Sequence, residues 1–245
     1  MVQYGFFFDQ SRCYGCQACS IACKDWNDIA PGPEKWMCVY EWETGTFPTP
    51  RLHELAFSCG HCEDPACVKA CAHGAIFKDD EYGAVLIDQD KCQGDRNCFA
   101  ACPYGAIKFA SDDPGTKASK CTMCIDRLEK GQMPLCVESC PMRALDFGPI
   151  EELRAKYGDC AQLADMPAPV TKPAWVAKPQ EEKKQLIPFD VDEAIRLSMQ
   201  RGELPAVYKN EADLTPEEGV IRRNKLIMKN ATVAEVMANT TNNQG

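Results

Sequence analysis

An α+β fold is predicted, made of short strands and short helices alternating with cysteine-rich loops. Three observations predict it. The cysteines fall into four groups with repeated spacing, the segments between groups read as strand–turn–strand, and the chain changes character after residue 150.

The chain has 245 residues, room for one or two domains at roughly 100–200 residues each. A hydrophobic share of 45% and a charged share of 26% are ordinary for a globular protein. The net charge of −9 argues against a nucleic-acid partner, which calls for a basic face. No window approaches the roughly 18 apolar residues of a membrane span. The N-terminal stretch MVQYGFFFDQSRCYGC has no basic start followed by an apolar run of signal length. A soluble chain is expected, reaching a membrane only through a partner.

Seventeen cysteines are the outlying feature. The first group, CYGCQACSIAC, holds Cys13, Cys16, Cys19 and Cys23; the second, CGHCEDPACVKAC, holds Cys59, Cys62, Cys67 and Cys71. The third, KCQGDRNCFAACP, holds Cys92, Cys98 and Cys102, with Asp95 where a fourth cysteine is expected. The last, CTMCIDRLEKGQMPLCVESCP, holds Cys121, Cys124, Cys136 and Cys140. Cys38 and Cys160 stand outside the groups. Three thiolates on one tight loop can wrap an iron–sulfur cubane, with backbone N–H groups turned toward its sulfurs. The fourth ligand then comes from another run, and a Cys-Pro closes the pattern. Four groups predict four clusters in two crosswise pairs. Disulfides and zinc are the competing readings. A disulfide scaffold is usually shorter and secreted. Zinc sites use two separated Cys pairs, which the first group fits poorly because its four cysteines lie within eleven residues.

The intervening elements follow in order. Residues 36–42 alternate, and the chain turns at Thr44-Gly45 and resumes at Arg51, which predicts a β-hairpin. Cys38 shares a face there with Trp36, Tyr40 and Trp42, so a buried inert thiol is expected. GAIFKDDEYGAVLIDQDKC predicts a strand at Ala75–Lys78, a turn at Asp79–Gly83 and a strand at Ala84–Ile87. GAIKF, after Cys102, predicts another strand. Short helices after the ligand loops are expected to set Val68 and Ala70, or Phe99 and Ala100, against the strands. Clusters would replace much of the apolar core that so small a unit lacks. IEELRAKYG predicts a helix ended by Gly158. Pro167, Pro169, Pro173 and Pro179 then mark an extended stretch. DVDEAIRLSMQRG predicts a helix capped by Asp190 and Glu193 and stopped at Gly202, and Thr232 with Glu235 opens a further one. Such isolated pieces cannot bury a core, so a partner-wrapping tail is expected.

His61 and His73 read as polar residues beside the clusters, and His53 as structure. Lys24, Lys69 and Lys120 adjoin ligands. Each is either a cation that raises a cluster potential or a solvated counter-charge.

The four groups in order, with FFFDQSRCYGCQAC, YEWETGTFP, CTMCIDRLEKGQMPLCVESCP and ALDFGPIEELRAKYG, resemble the iron–sulfur (electron-transfer, beta) subunits of dimethyl sulfoxide reductase-type molybdopterin oxidoreductases. The resemblance covers about residues 3–180. It implies two bacterial-type two-cluster ferredoxin units nested in sequence. Residues 1–51 and 113–150 would form the first (with hairpin 35–57). Residues 52–112 would be the inserted second, and residues 151–245 the extended tail wrapping a partner subunit. It also implies ligand sets. One cluster takes Cys13, Cys16, Cys19 and Cys140, and a second takes Cys23, Cys121, Cys124 and Cys136. The third takes Cys59, Cys62, Cys67 and Cys102. The fourth takes Cys71, Cys92 and Cys98, with Asp95 in the open slot.

Two departures from the family pattern, Asp95 and the CAHGA that replaces Cys-Pro after Cys71, fall beside that fourth cluster. Asp95 reads as an oxygen ligand to a fourth iron, as the sign of a 3Fe–4S cluster, or as a solvated loop residue, in that order. Three 4Fe–4S clusters are expected, with a fourth that is 4Fe–4S or 3Fe–4S. A hard carboxylate suits such iron poorly, so that iron should be labile.

A non-catalytic electron-transfer subunit of anaerobic respiration is thus expected. It would stand between a membrane quinol-linked anchor subunit and a molybdopterin catalytic subunit, on the extracytoplasmic face by co-export, the cytoplasm being the alternative. A free polyferredoxin shuttle, and a cluster-based enzyme with an open iron near Asp95, are the competing functions.

Overall fold

A computed structural model describes residues 2–46, 50–164, 166–181 and 191–200. The chain divides into two units, Met1–Lys183 and Lys184–Gly245.

The first unit is organised on strand β1 (Tyr4–Asp9). It pairs antiparallel with β6 (Leu145–Pro149), in register Phe6↔Phe147 and Phe8↔Leu145, and parallel with β7 (Trp175–Lys178), in register Phe6↔Trp175 and Phe8↔Ala177. A central strand covered on both faces needs an unbroken apolar run, and Phe6-Phe7-Phe8 supplies it. Phe6 and Phe8 point to the main core with Phe57, Phe147 and Trp175. Phe7 points the other way, to Ile150, Leu153 and Val176, and stacks on Tyr157 at 3.6 Å between ring centroids. Each of these buried phenylalanines contributes roughly 1.5–3 kcal/mol relative to an exposed one.

Helix α1 (Ala18–Trp26) follows the first cysteine loop. The expected hairpin is present as β2 (Cys38–Thr44) and β3 (Arg51–Phe57), antiparallel, with Cys38 opposite Phe57 and Thr44 opposite Arg51. Cys38 is half-buried and bonds Lys35 O through its thiol, so it is less enclosed than expected. The next hairpin joins β4 (Ile76–Lys78) and β5 (Val85–Ile87) as expected. With Ala75, Cys92, Cys98, Ile107 and Ala118, Ile76 and Val85 make a second, separate core.

The segment after Cys102 departs from expectation. GAIKF forms one isolated bridge, Lys108↔Ser119, rather than a strand. The neighbouring Ala118 N–H is turned to Cys92 Sγ at 3.4 Å and leaves the ladder. Helices α2 (Ala66–Ala70) and α3 (Asn97–Ala101) follow their loops, and Val68 packs inward as expected. Phe99 and Ala100 do not: both are exposed, because five residues that turn Cys98 inward leave the next two facing out.

Two short helices, α4 (Ile125–Leu128) and α5 (Leu135–Glu138), lie in the fourth group, and α6 (Ile150–Tyr157) ends at Gly158 as expected. The following proline stretch differs from a segment without a core. Trp175, Val176 and Ala177 are buried in β7, and Ala174 just before it is buried too, its N–H bonded to Gly60 O at 2.7 Å. The short run AWVA among prolines reads as extended and solvated, and only the open edge of β1 makes it a strand.

In the second unit the described residues form α7 (Val191–Gln200), whose Arg196 bonds Glu193 at 2.6 Å. The expected caps Asp190 and Gly202, and the pair Thr232 and Glu235, lie outside the described residues. Among the described residues no helix is long and apolar enough to cross a membrane.

Candidate iron–sulfur sites

The first and third cysteine loops share one backbone. Gly15 and Gly94 have φ of 72° and 79°, and Gln17 and Arg96 both have φ of 62°. A helix opens immediately afterwards in each, α1 in one and α3 in the other. Cys13, Cys16 and Cys19 of the first loop therefore correspond to Cys92, Asp95 and Cys98 of the third. The left-handed turns fold each loop back, so that its side chains converge on one side.

These loops open into separate cavities. Cys13, Cys16, Cys19 and Cys140 line one, together with Phe8 and Leu145. Cys59, Cys62, Cys67 and Cys102 line another with Val85 and Ile107. Cys71, Cys92, Cys98 and Asp95 line a third, and His73 joins them. Cys23, Cys121, Cys124 and Cys136 also lie near one another. After burial, the leading causes that raise the Cys136 thiol pKa are Cys121, Cys124 and Cys23, in that order. Each of the four expected sets, drawn from distant segments, is thus brought together.

The spacing and placement of these donors suit clusters. All seventeen cysteines are free thiols. Among the described residues no three His, Cys, Asp or Glu side chains converge closely enough to hold one metal ion. A zinc ion demands such convergence, with sulfurs at about 2.3 Å from a common centre. Here the thiols stand on the walls of a cavity. Backbone N–H groups are aimed at them: His61 to Cys59 at 3.4 Å, and Ala75 to Cys71, Met123 to Cys121 and Ala144 to Cys140, each at 3.3 Å. These amides are the donors a cluster's ligand sulfurs accept.

Burial sets the electrostatics. It pushes the Cys19 and Cys67 thiols up to about 12 and those of Cys62 and Cys121 to about 11, with neighbouring thiols adding to the effect. Metal-free, these four thiols are therefore protonated near neutrality, and metal uptake must release their protons.

Lys24 donates to Gly32 O at the surface, and Lys69 pairs with Asp64 in solvent. Lys120 is different: it is 3% exposed, and its ammonium donates to Val85 O and Cys121 O. His61 is fully buried, and its Nδ1 accepts the Val85 N–H at 2.9 Å. Burial, followed by Lys120 and Lys78, holds its pKa well below the usual value. His53 lies on β3, with Nε2 2.7 Å from Thr44 Oγ1. Cys160 bonds Gln162 O, away from the cavities.

Two contacts were missed. Thr171 Oγ1 lies 3.1 Å from Cys62 Sγ, across 109 residues, and no local signal announces it. Asn27 donates to Cys23 O at 2.8 Å from one helical turn further on, which helix spacing does foreshadow.

Comparison with known proteins follows the same lines. A 4Fe–4S dicluster domain model matches residues 52–150. One of the chains of the anaerobic dimethyl sulfoxide reductase of Escherichia coli (strain K12) is 46% identical over 191 residues, 74% of this chain and 91% of the relative. One of the subunits of the sulfite dehydrogenase of Allochromatium vinosum is 35% identical over 221 residues, 80% and 90% of the two chains. Protein NrfC of Escherichia coli (strain K12) is 39% identical over 153 residues, 62% and 67% of the two. With its cysteine loops, its dicluster domain and a dimethyl sulfoxide reductase relative matched over nine-tenths of its length, this chain belongs to the family of iron–sulfur subunits of anaerobic dimethyl sulfoxide reductase.

Proposed function

We propose that this chain is an electron-transfer subunit, with no substrate chemistry of its own. It would hold four iron–sulfur clusters and relay single electrons between a membrane quinol-linked subunit and a molybdopterin catalytic subunit. The observation that carries the reading is the gathering of four donor sets, each assembled from separate segments, three of them on the walls of separate cavities. Cys13, Cys16, Cys19 and Cys140 would hold one cluster, and Cys23, Cys121, Cys124 and Cys136 a second. Cys59, Cys62, Cys67 and Cys102 would hold a third, and Cys71, Cys92 and Cys98 with Asp95 the fourth. Bound clusters supply one-electron redox chemistry.

The chain's own residues space the sites, exclude water and set the local charge. Phe8, Val85 and Ile107 insulate, inward amides bond the sulfurs, and Lys120 places a cation beside Cys121. The nested division at residues 52 and 112 accords with the separate core around Ile76 and Val85. Two relatives are named for different substrates, dimethyl sulfoxide and sulfite, which accords with a substrate choice made by a partner. We place the complex on the extracytoplasmic face, the partner being exported with this chain already folded.

Anaerobic purification of the native complex is the test. Four clusters' worth of iron, a co-purifying molybdenum subunit and no turnover by the isolated chain are expected. An iron-free chain, or a lone chain as the native form, overturns the reading.

A further inference from the structure

We propose that His73 is a positioning residue that orients Asp95 as the oxygen ligand of one solvent-accessible, exchangeable iron in the fourth site. This rests on the iron–sulfur reading above and goes beyond it in fixing the fourth site's type.

Asp95 stands where Cys16 stands in the first loop, in the same backbone: a left-handed glycine before it, a left-handed residue after it, then a helix. It lines one cavity with Cys71, Cys92 and Cys98. The closing cysteines offer a second comparison. Three residues beyond Cys71, Cys102 and Cys140 the chain takes left-handed φ values of 60°, 59° and 52° at Gly74, Gly105 and Arg143. The residue before each is therefore equivalent, and it is His73, Tyr104 and Met142. Only at the fourth site does this position carry an imidazole, and only there is the second ligand slot an aspartate.

These two exceptions touch. His73 Nε2 lies 2.8 Å from Asp95 Oδ2. An ionised carboxylate only accepts, so the imidazole donates. That bond occupies Oδ2 and stops the carboxylate from rotating, leaving Oδ1 as the remaining oxygen. Carboxylates that ligate metals are held in this way, and removing the outer partner typically costs about 10–100-fold in metal affinity. Both side chains are 44% exposed, so an iron held here is open to solvent, as the equivalent slot at Cys16 also is; what differs is the carboxylate and the imidazole beside it. A plain surface pair of this exposure contributes little to stability, and that reading leaves the shared cavity without an explanation.

The complex is purified anaerobically as wild type, His73→Ala, His73→Gln, Asp95→Ala and the double alanine variant. Each is exposed to EDTA for timed intervals, then oxidised with ferricyanide and read by EPR, with Mössbauer spectra of the iron. Loss of one Fe2+ from a four-iron cluster at the 2+ level leaves a three-iron cluster at the zero level. The single electron that makes it EPR-visible goes to ferricyanide. Wild type is expected to begin without a three-iron signal and acquire it slowly. In His73→Ala the signal should grow about 10–100-fold faster, and His73→Gln, which keeps an N–H donor, should lie closer to wild type. Asp95→Ala should show the full signal at once, with the double variant identical to it, because His73 acts through Asp95.

An unchanged rate in His73→Ala overturns the inference, as does a full three-iron signal in untreated wild type. A double variant that differs from Asp95→Ala does the same. If His73→Ala loses its other clusters on purification, His73→Phe, which keeps the bulk without the donor, takes its place. The remaining cluster signals separate the two levels. Their absence from wild type overturns the electron-transfer reading, whereas their presence beside an unchanged His73→Ala overturns this inference alone.

Discussion

Lys120 is 3% exposed and, among the described residues, makes no ion pair; its hydrogen bonds go to Val85 O and Cys121 O. A buried cation without a counter-charge costs several kcal/mol. Anionic clusters beside Cys121 and Cys67, two thiols whose pKa values Lys120 lowers, would supply that counter-charge. Replacing Lys120 by Met should therefore lower the reduction potentials of the adjoining clusters, on the order of 50–100 mV for a nearby unit charge. Redox titration followed by EPR checks this, and unmoved potentials would return Lys120 to a purely structural role. His61 supports a second prediction. Its pKa is held below the ordinary 6.5 chiefly by burial, so the folded state resists protonation that the unfolded chain accepts. Its contribution to stability is full above pH 6.5 and is lost as pH falls toward the lowered folded value, by up to about 1.4 kcal/mol per pH unit. His61→Asn keeps an acceptor for the Val85 N–H but cannot titrate. Its melting temperature should decline less steeply from pH 6.5 to about 5 than that of wild type.

At the scale of elements, the ligand loops are held by left-handed turns that fit into neighbouring backbone. A Cβ on Gly94 would stand 2.7 Å from Gly115 C and Thr116 O, at a φ of +79°. Gly94→Ala must both strain its own backbone and move a neighbour, at a cost on the order of 2–3 kcal/mol. The expected result is a lowered melting temperature, with the signal of the fourth site lost selectively while the other three persist. Equal loss from all four would mean that the loops are not independent. The elements that were legible beforehand are the local ones. The hairpin of β2 and β3 announces itself by alternation, and α6 by its glycine stop. Strand β7 was not legible, since Trp175 and Val176 become buried only against β1, nearly 170 residues earlier in the chain.

For the whole molecule, the division at Lys183 and the buried strand before it make opposite predictions for truncation. Ending the chain after Lys183 keeps β7 and every candidate ligand, so iron content and melting temperature should hold. If the remaining segment grips a partner as proposed, co-purification of the large subunit should fall at least tenfold. Ending the chain after Val170 removes the core residues Trp175 and Val176 and the Thr171 contact to Cys62. Burial of those side chains is worth roughly 1.5–3 kcal/mol each, so this shorter form should lose both stability and iron. Thermal melts and iron assays on the two truncations distinguish these outcomes.

By itself the sequence determined the chemistry of this protein: soft sulfur donors in tight loops, repeated four times, with one carboxylate in the series. Ligand spacing within a loop is a local property, set by how few residues can wrap one cofactor. Tertiary structure alone decided which side chains of distant segments meet. It brought Cys140 to the cavity of Cys13, His73 to Asp95, and Thr171 to Cys62. It also buried Lys120 while leaving Lys24 and Lys69 at the surface. Such contacts depend on how strands pair and cores close over long separations, and short-range pattern carries no record of that.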